Sequence, residues 1–212
     1  MKTPKRYSLS HAFTLIELLI VIVIIAILAS LAVPVTNLVM LKARIMQTRA
    51  TIKDLQVAAK SFQTEYNRYP VDPSMTGGSG ADDVAPILTD ENHQIISLLL
   101  AEGLQKKDPS DPLRLQNPRA IRFIDLPMAK NFRAGIVNNG TANYALYDIW
   151  GKPFYILLDT NYDNSLDNPD LQNQDTTIAG KAPKTLPVGV AVYSTGPDRI
   201  QFTKDDITSW RQ

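Results

Sequence analysis

From Phe13 to Val33 the sequence reads FTLIELLIVIVIIAILASLAV, 21 residues that carry one charge, Glu17. As a helix, a run of this length covers about 30 Å, the thickness of a bilayer's hydrocarbon core. A buried helix of a soluble core is a poorer fit to so long an apolar stretch. A secretory signal would have a shorter apolar core before its small-residue cleavage site. Ala29, Ser30, Ala32 and Val33 do offer small residues at the far end. Glu17, however, sits near the start, where a signal is uniformly apolar, and the pattern continues beyond the run.

The residues in front of the run carry Lys2, Lys5 and Arg6 and no acid. Such a bias places them on the cytoplasmic side of a membrane. The whole chain, 212 residues long, has a net charge of only +1, so nothing argues for a nucleic-acid partner. It has no cysteine and two histidines, His11 and His93. Disulfide scaffolds, cysteine nucleophiles, thiolate metal sites and histidine-rich metal centres are thereby excluded.

Beyond the apolar run, Leu38, Leu41, Ile45, Thr48, Ile52, Leu55, Ala59, Phe62 and Tyr66 follow at spacings of three and four. That spacing lines them up on one stripe of a helix. Lys42, Arg44, Arg49, Lys53, Asp54 and Lys60 fall off the stripe. Pro34 removes one backbone hydrogen bond and interrupts the helix without ending it. The end is expected near Asn67, because Tyr69 precedes Pro70 and is steered out of the helical region. One helix from Phe13 to Asn67 results, apolar all round at first and on one side later.

The bare stripe needs a cover. Residues 71–89 read as a loop, and Asp90 as the cap of a short helix to about Glu102. Residues 105–119 read as irregular. Short β-rich runs follow at Ile121–Ile124, Tyr144–Tyr147, Phe154–Leu158 and Val188–Tyr193. The expected fold is α+β: a long N-terminal helix, transmembrane in its first half and amphipathic in its second, packed on a small antiparallel sheet. Four segments follow: a leader (1–12), a transmembrane or filament-core helix (13–33), its amphipathic continuation (34–69) and a head (70–212).

The run Ala12-Phe13-Thr14-Leu15-Ile16-Glu17-Leu18-Leu19 resembles the processing site of type IV prepilins and type II secretion pseudopilins. Tyr66-Asn67-Arg68-Tyr69-Pro70 is similar to the end of the first helix in major pseudopilins, and Tyr147–Phe154 to their "DPWGxPY" segment. Ser194–Asp198, followed by Asp205–Trp210, resembles their C-terminal calcium loop and its closing tryptophan. The resemblance implies a pilin-like fold. It implies cleavage between Ala12 and Phe13 by a prepilin peptidase, with N-methylation of Phe13. It also implies polymerisation with itself and other pseudopilins through an inner-membrane assembly platform, the head being periplasmic. The family has glycine before the cut where this chain has Ala12.

A carboxylate in hydrocarbon is costly unless paired. Cleavage would create a positive amine on Phe13, and Glu17 of one subunit could meet the Phe13 amine of its neighbour, registering subunits axially. With Pro34 at the membrane boundary, Phe13 and Glu17 are the expected assembly residues. Val33, Val35, Leu38 and Val39 are candidates for packing between helices in a filament.

Calcium is the expected cofactor, at one of two places. The C-terminal loop supplies Asp198, Asp205 and Asp206. The stretch from Asp159 to Asp170 is similar to an EF-hand loop, with Asp159, Asn161, Asp163, Asp167 and Asp170 at positions that bear ligands. Asn164 stands where that loop has glycine, and Asp170 where it has a bidentate glutamate. His93 reads as a solvent-facing or capping residue. No phosphate loop or acid/base carboxylate pair is present in the sequence.

The expected function is therefore a structural, non-catalytic subunit of a type II secretion pseudopilus. The alternatives are a type IV pilin of a surface pilus and a single-pass membrane-anchored binding protein that does not polymerise.

Overall fold

The structure is a computed structural model. It describes residues 13–71, 85–138, 140 and 143–211, with the backbone alone at 31–36. The leader with Ala12, most of the 71–89 loop and the side chain of Pro34 lie outside the described residues.

Helix α1 spans Leu15–Tyr66, 52 residues, and runs on past position 34. It ends where Asn67 turns left-handed, at φ 52°. Asparagine tolerates that conformation and commonly stops helices.

The chain divides into two compact units, Met1–Ala43 and Arg44–Gln212. In the first, every described side chain is exposed. Among the described residues no helix is long and apolar enough to cross a membrane. The described side chains of the apolar run stop at Ser30.

In the second unit the predicted stripe is the inner face of α1. Ile52, Leu55, Ala58, Ala59 and Phe62 are buried. Leu38 and Val39, expected to lie beyond the sheet, are exposed. The strands are β1 (Ile87–Leu88), β2 (Gly135–Val137), β3 (Ala145–Tyr147), β4 (Tyr155–Leu158), β5 (Leu166–Asp167), β6 (Thr185–Leu186), β7 (Val190–Ser194) and β8 (Ile207–Thr208). They form an antiparallel sheet β1-β4-β7-β8 and two ribbons, β2-β3 and β5-β6. Three short helices, α2 (Ile95–Leu100), α3 (Pro112–Gln116) and α4 (Thr176–Ala179), complete the head. This is the expected α+β, pilin-like arrangement.

The central pair β4–β7 is in register Ile156↔Val192 and Leu158↔Val190. Those four side chains share one core with Leu55 and Phe62 of α1. Side chains alternate across a strand, so Leu157, Ala191 and Tyr193 point to the other face. There they meet Leu166 and Leu186 of the β5-β6 ribbon. The sheet is thus covered on both faces, which is why all of β7 is buried.

Three expectations are corrected. Ile121–Ile124 is not a strand: Ile121 N–H donates to the Asn117 side chain and Phe123 N–H to the Leu99 carbonyl of α2. Asp90 does not cap a helix; it accepts from Asn92 N–H, and α2 begins later, after Gln94. Residues 105–119 are not wholly irregular, since Asp111 accepts Leu113 N–H and caps α3.

Candidate assembly site and acidic loops

At the start of α1, Glu17 meets Thr14. Thr14 N–H and Oγ1 each donate to Glu17 Oε2 at 2.8 Å, and Glu17 N–H donates back to Thr14 Oγ1 at 3.3 Å. This is a capping box: threonine before the first turn, glutamate three residues on, each satisfying an amide that the helix leaves without a partner. The arrangement answers in part why an acid stands in an apolar run. Unpaired amides are expensive in hydrocarbon, and this carboxylate serves two donors. The T-x-x-E spacing was readable in the sequence. Phe13 and the described side chains of α1 as far as Ala43 are exposed.

Residues 8–33 match the prokaryotic N-terminal methylation motif. The amino terminus therefore carries the methylation motif found at the start of prokaryotic prepilin-type proteins. The type IV major pilin protein PilA of Myxococcus xanthus is 47% identical over 71 residues. That stretch is 32% of this chain, and it spans only 31% of the length of the relative. No solved structure matches the chain.

The second unit contains the other predicted residues. Asp159 is buried, and its two oxygens accept Asp163 N–H at 3.1 Å and Asn164 N–H at 2.9 Å. Asp163 accepts Ser165 N–H at 2.8 Å, and Asn164 takes φ 57°, the left-handed turn expected of the glycine position. The loop therefore has the local path of the resemblance. Its last member does not join it. Asp170 accepts Trp210 Nε1–H at 2.7 Å and pairs with Arg211 at 3.3 Å. Asp167 is exposed on β5.

In the C-terminal loop, Asp198 is consumed locally: it accepts Ile200 N–H and Thr203 Oγ1–H. Asp205 is exposed, and its carbonyl lies so close to Gly196, at φ 65°, that a side chain there would collide with it. Asp206 differs. Its Oδ2 accepts Thr203 N–H at 3.2 Å, while its Oδ1 is buried without a hydrogen-bond partner among the described residues. Burial pushes its pKa up to about 6, against bonds from the loop backbone and the pull of Arg211. Among the described residues no three acids or histidines converge as a metal site. The acidic loops thus fit a cation only through the free oxygen of Asp206, with backbone oxygens left to fill the shell.

Asp148, in the "DPWG"-like segment, does structural work. It is buried, accepts Trp150 N–H and Lys152 N–H at 2.9 Å each, and receives Ser194 Oγ–H at 2.6 Å. Burial raises its pKa despite these bonds. It ties the turn after β3 to the end of β7. His93 Nδ1 lies 2.7 Å from Asp90 Oδ1, a local turn contact. Sequence reasoning missed Ser194 and Arg211 as partners, because neither pairing has a spacing signature.

Proposed function

We propose that the chain is a structural, non-catalytic subunit of a membrane-derived helical filament, stored as a precursor anchored by residues 13–33. The prepilin-type motif over residues 8–33 carries the reading. The peptidase cuts between Ala12 and Phe13 and methylates Phe13, and the freed amine becomes the partner of Glu17 on an adjoining subunit. The exposed apolar side chains at the start of α1, described from Leu15 to Ala29, support a filament core, since such a surface must be covered by lipid or by other helices.

The finer assignment is a periplasmic type II secretion pseudopilus. It is supported by the intact Asp205–Trp210 segment, whose Trp210 stacks edge-on against Tyr193 and donates to Asp170. Calcium at Asp206 belongs to this reading. A surface pilus is the second reading, favoured by the likeness to a type IV major pilin.

The capping box makes the test of assembly sharper than a simple truncation of the acid. Glu17→Gln keeps an acceptor for Thr14 but removes the charge; Thr14→Ala keeps the charge but breaks the box. If the charge registers subunits, Glu17→Gln abolishes filaments from correctly processed protein and Thr14→Ala does not. Normal filaments from Glu17→Gln would refute the pairing. Mass spectrometry settles processing: loss of residues 1–12 with one methyl group on Phe13 is expected. An intact Met1 would favour a membrane-anchored binding protein instead. Immunogold labelling of sheared cell-surface material separates pilus from pseudopilus.

A further inference from the structure

The second unit carries a protruding feature and a recess that match one another and share no residue. The protrusion is the turn between Lys130 and Arg133. Lys130 N–H donates to the Arg133 carbonyl and Arg133 N–H to the Lys130 carbonyl, at 3.3 and 3.2 Å. Both central residues are left-handed, Asn131 at φ 52° and Phe132 at φ 57°. A two-residue turn of this kind takes asparagine first and glycine second. Here an aromatic residue occupies the glycine place, at a cost to the backbone, and leaves half its surface in water. Exposed Met128 lines an open hollow beside it, and neither Lys130 nor Arg133 is in an ion pair among the described residues. Strain of this kind, spent on exposing an aromatic ring between two cations, points to contact with something else.

The recess is a cleft of about 430 Å³. Its apolar lining includes Leu157, Leu166, Pro169 and Phe202, and its charged lining is Asp163, Asp167 and Lys184. A volume of this size accepts an aromatic ring with room for flanking groups. Two acids against one lysine leave the lining net negative, opposite in sign to Lys130 and Arg133.

We propose that the Phe132 turn of one subunit docks in the Leu157–Leu166 cleft of a second copy of this chain, with Lys130 and Arg133 against Asp163 and Asp167. Charge complementarity selects a second copy as the occupant. The two surfaces are different, so the contact is heterologous. Heterologous contacts repeat from copy to copy and build an open filament unless the rotation closes a ring. The inference rests on the filament reading above and supplies it with a contact between heads.

The absence of cysteine gives a clean test with the full-length chain in cells. Asn131→Cys and Asp167→Cys are placed in one chain, singly and together. Oxidation of filaments from the double variant is expected to give a ladder of disulfide-linked multimers, with no ladder from either single variant. Lys130→Glu with Arg133→Glu is expected to reduce sheared filaments at least tenfold without lowering the melting temperature of the head. Filaments of wild-type abundance from that charge-reversed chain, or double-cysteine filaments that oxidise without a ladder, would overturn the contact. If the wild-type chain itself is processed but forms no filament, the filament reading fails instead, and the two failures are told apart.

Discussion

At the scale of single residues, the chain's acids divide by what surrounds them. Glu17 is held by Thr14, Asp148 by two amides and a hydroxyl, and Asp206 is left with one buried oxygen free. Replacing Asp148 by alanine strands two buried donors and one half-buried one, which should cost about 3 kcal/mol of head stability, read by urea unfolding. Asp206 yields a pH dependence. Its folded pKa of about 6 lies above the 3.8 of a free aspartate. The folded state therefore holds the proton more tightly, and this stabilisation is complete below pH 4 and lost as pH rises through 6. The wild-type head should lose more melting temperature between pH 4 and 7 than Asp206→Asn. If calcium binds there as proposed, it would compete with the proton for this oxygen and should raise the melting temperature at pH 7 and much less at pH 4. Phe132 gives a third test. Glycine relieves a left-handed conformation worth roughly 1 kcal/mol, so Phe132→Gly should raise the melting temperature of the head while weakening filaments. A residue kept only for folding would not show that opposition.

At the scale of elements, what the sequence showed depended on the length of the pattern. The α1 stripe repeats over many turns, and its residues from Ile52 to Phe62 are buried as the spacing implied. β4 and β7 were legible as apolar runs. The ribbon β5-β6 was not, because each strand is two residues long and the chain between them is rich in Asn and Asp. Ile121–Ile124 misled for the opposite reason: its residue types favour a strand, but the amides that would pair are taken by Asn117 and Leu99. The acidic stretch read as a calcium loop closes on itself at its start, where Asp159 and Asp163 accept backbone amides of residues 163–165. Its far end leaves because Asp170 finds Trp210 and Arg211, partners forty residues away and beyond any local pattern. The ribbon's role can be measured. Leu166, almost fully buried against the outer face of the sheet, should cost about 3 kcal/mol when cut to alanine. Leu55→Ala on the inner face should cost a similar amount, since each side chain closes one of the two cores that sandwich β4 and β7. A negligible loss at Leu166 would mean that the ribbon only decorates the sheet.

At the scale of the whole molecule, the two units divide the work. The described apolar side chains of the first are all exposed, and the second buries a core of its own. A chain beginning at Arg44 keeps every buried residue of both hydrophobic clusters. It should therefore fold cooperatively and remain soluble, with the long apolar run gone. Its association is the more telling property. A single ring in a cleft with two charge pairs is a small contact, and surface pairs of this kind contribute roughly 0–1 kcal/mol each. Free heads pay the full loss of translational and rotational freedom on binding. Heads held together by packed anchor helices do not, because the anchor raises their effective concentration into the millimolar range. Sedimentation of the truncated chain should accordingly show a monomer at micromolar concentration, while the anchored chain polymerises. A stable dimer of the truncated head would show instead that the head contact alone drives assembly, and Glu17→Gln would then leave filaments standing.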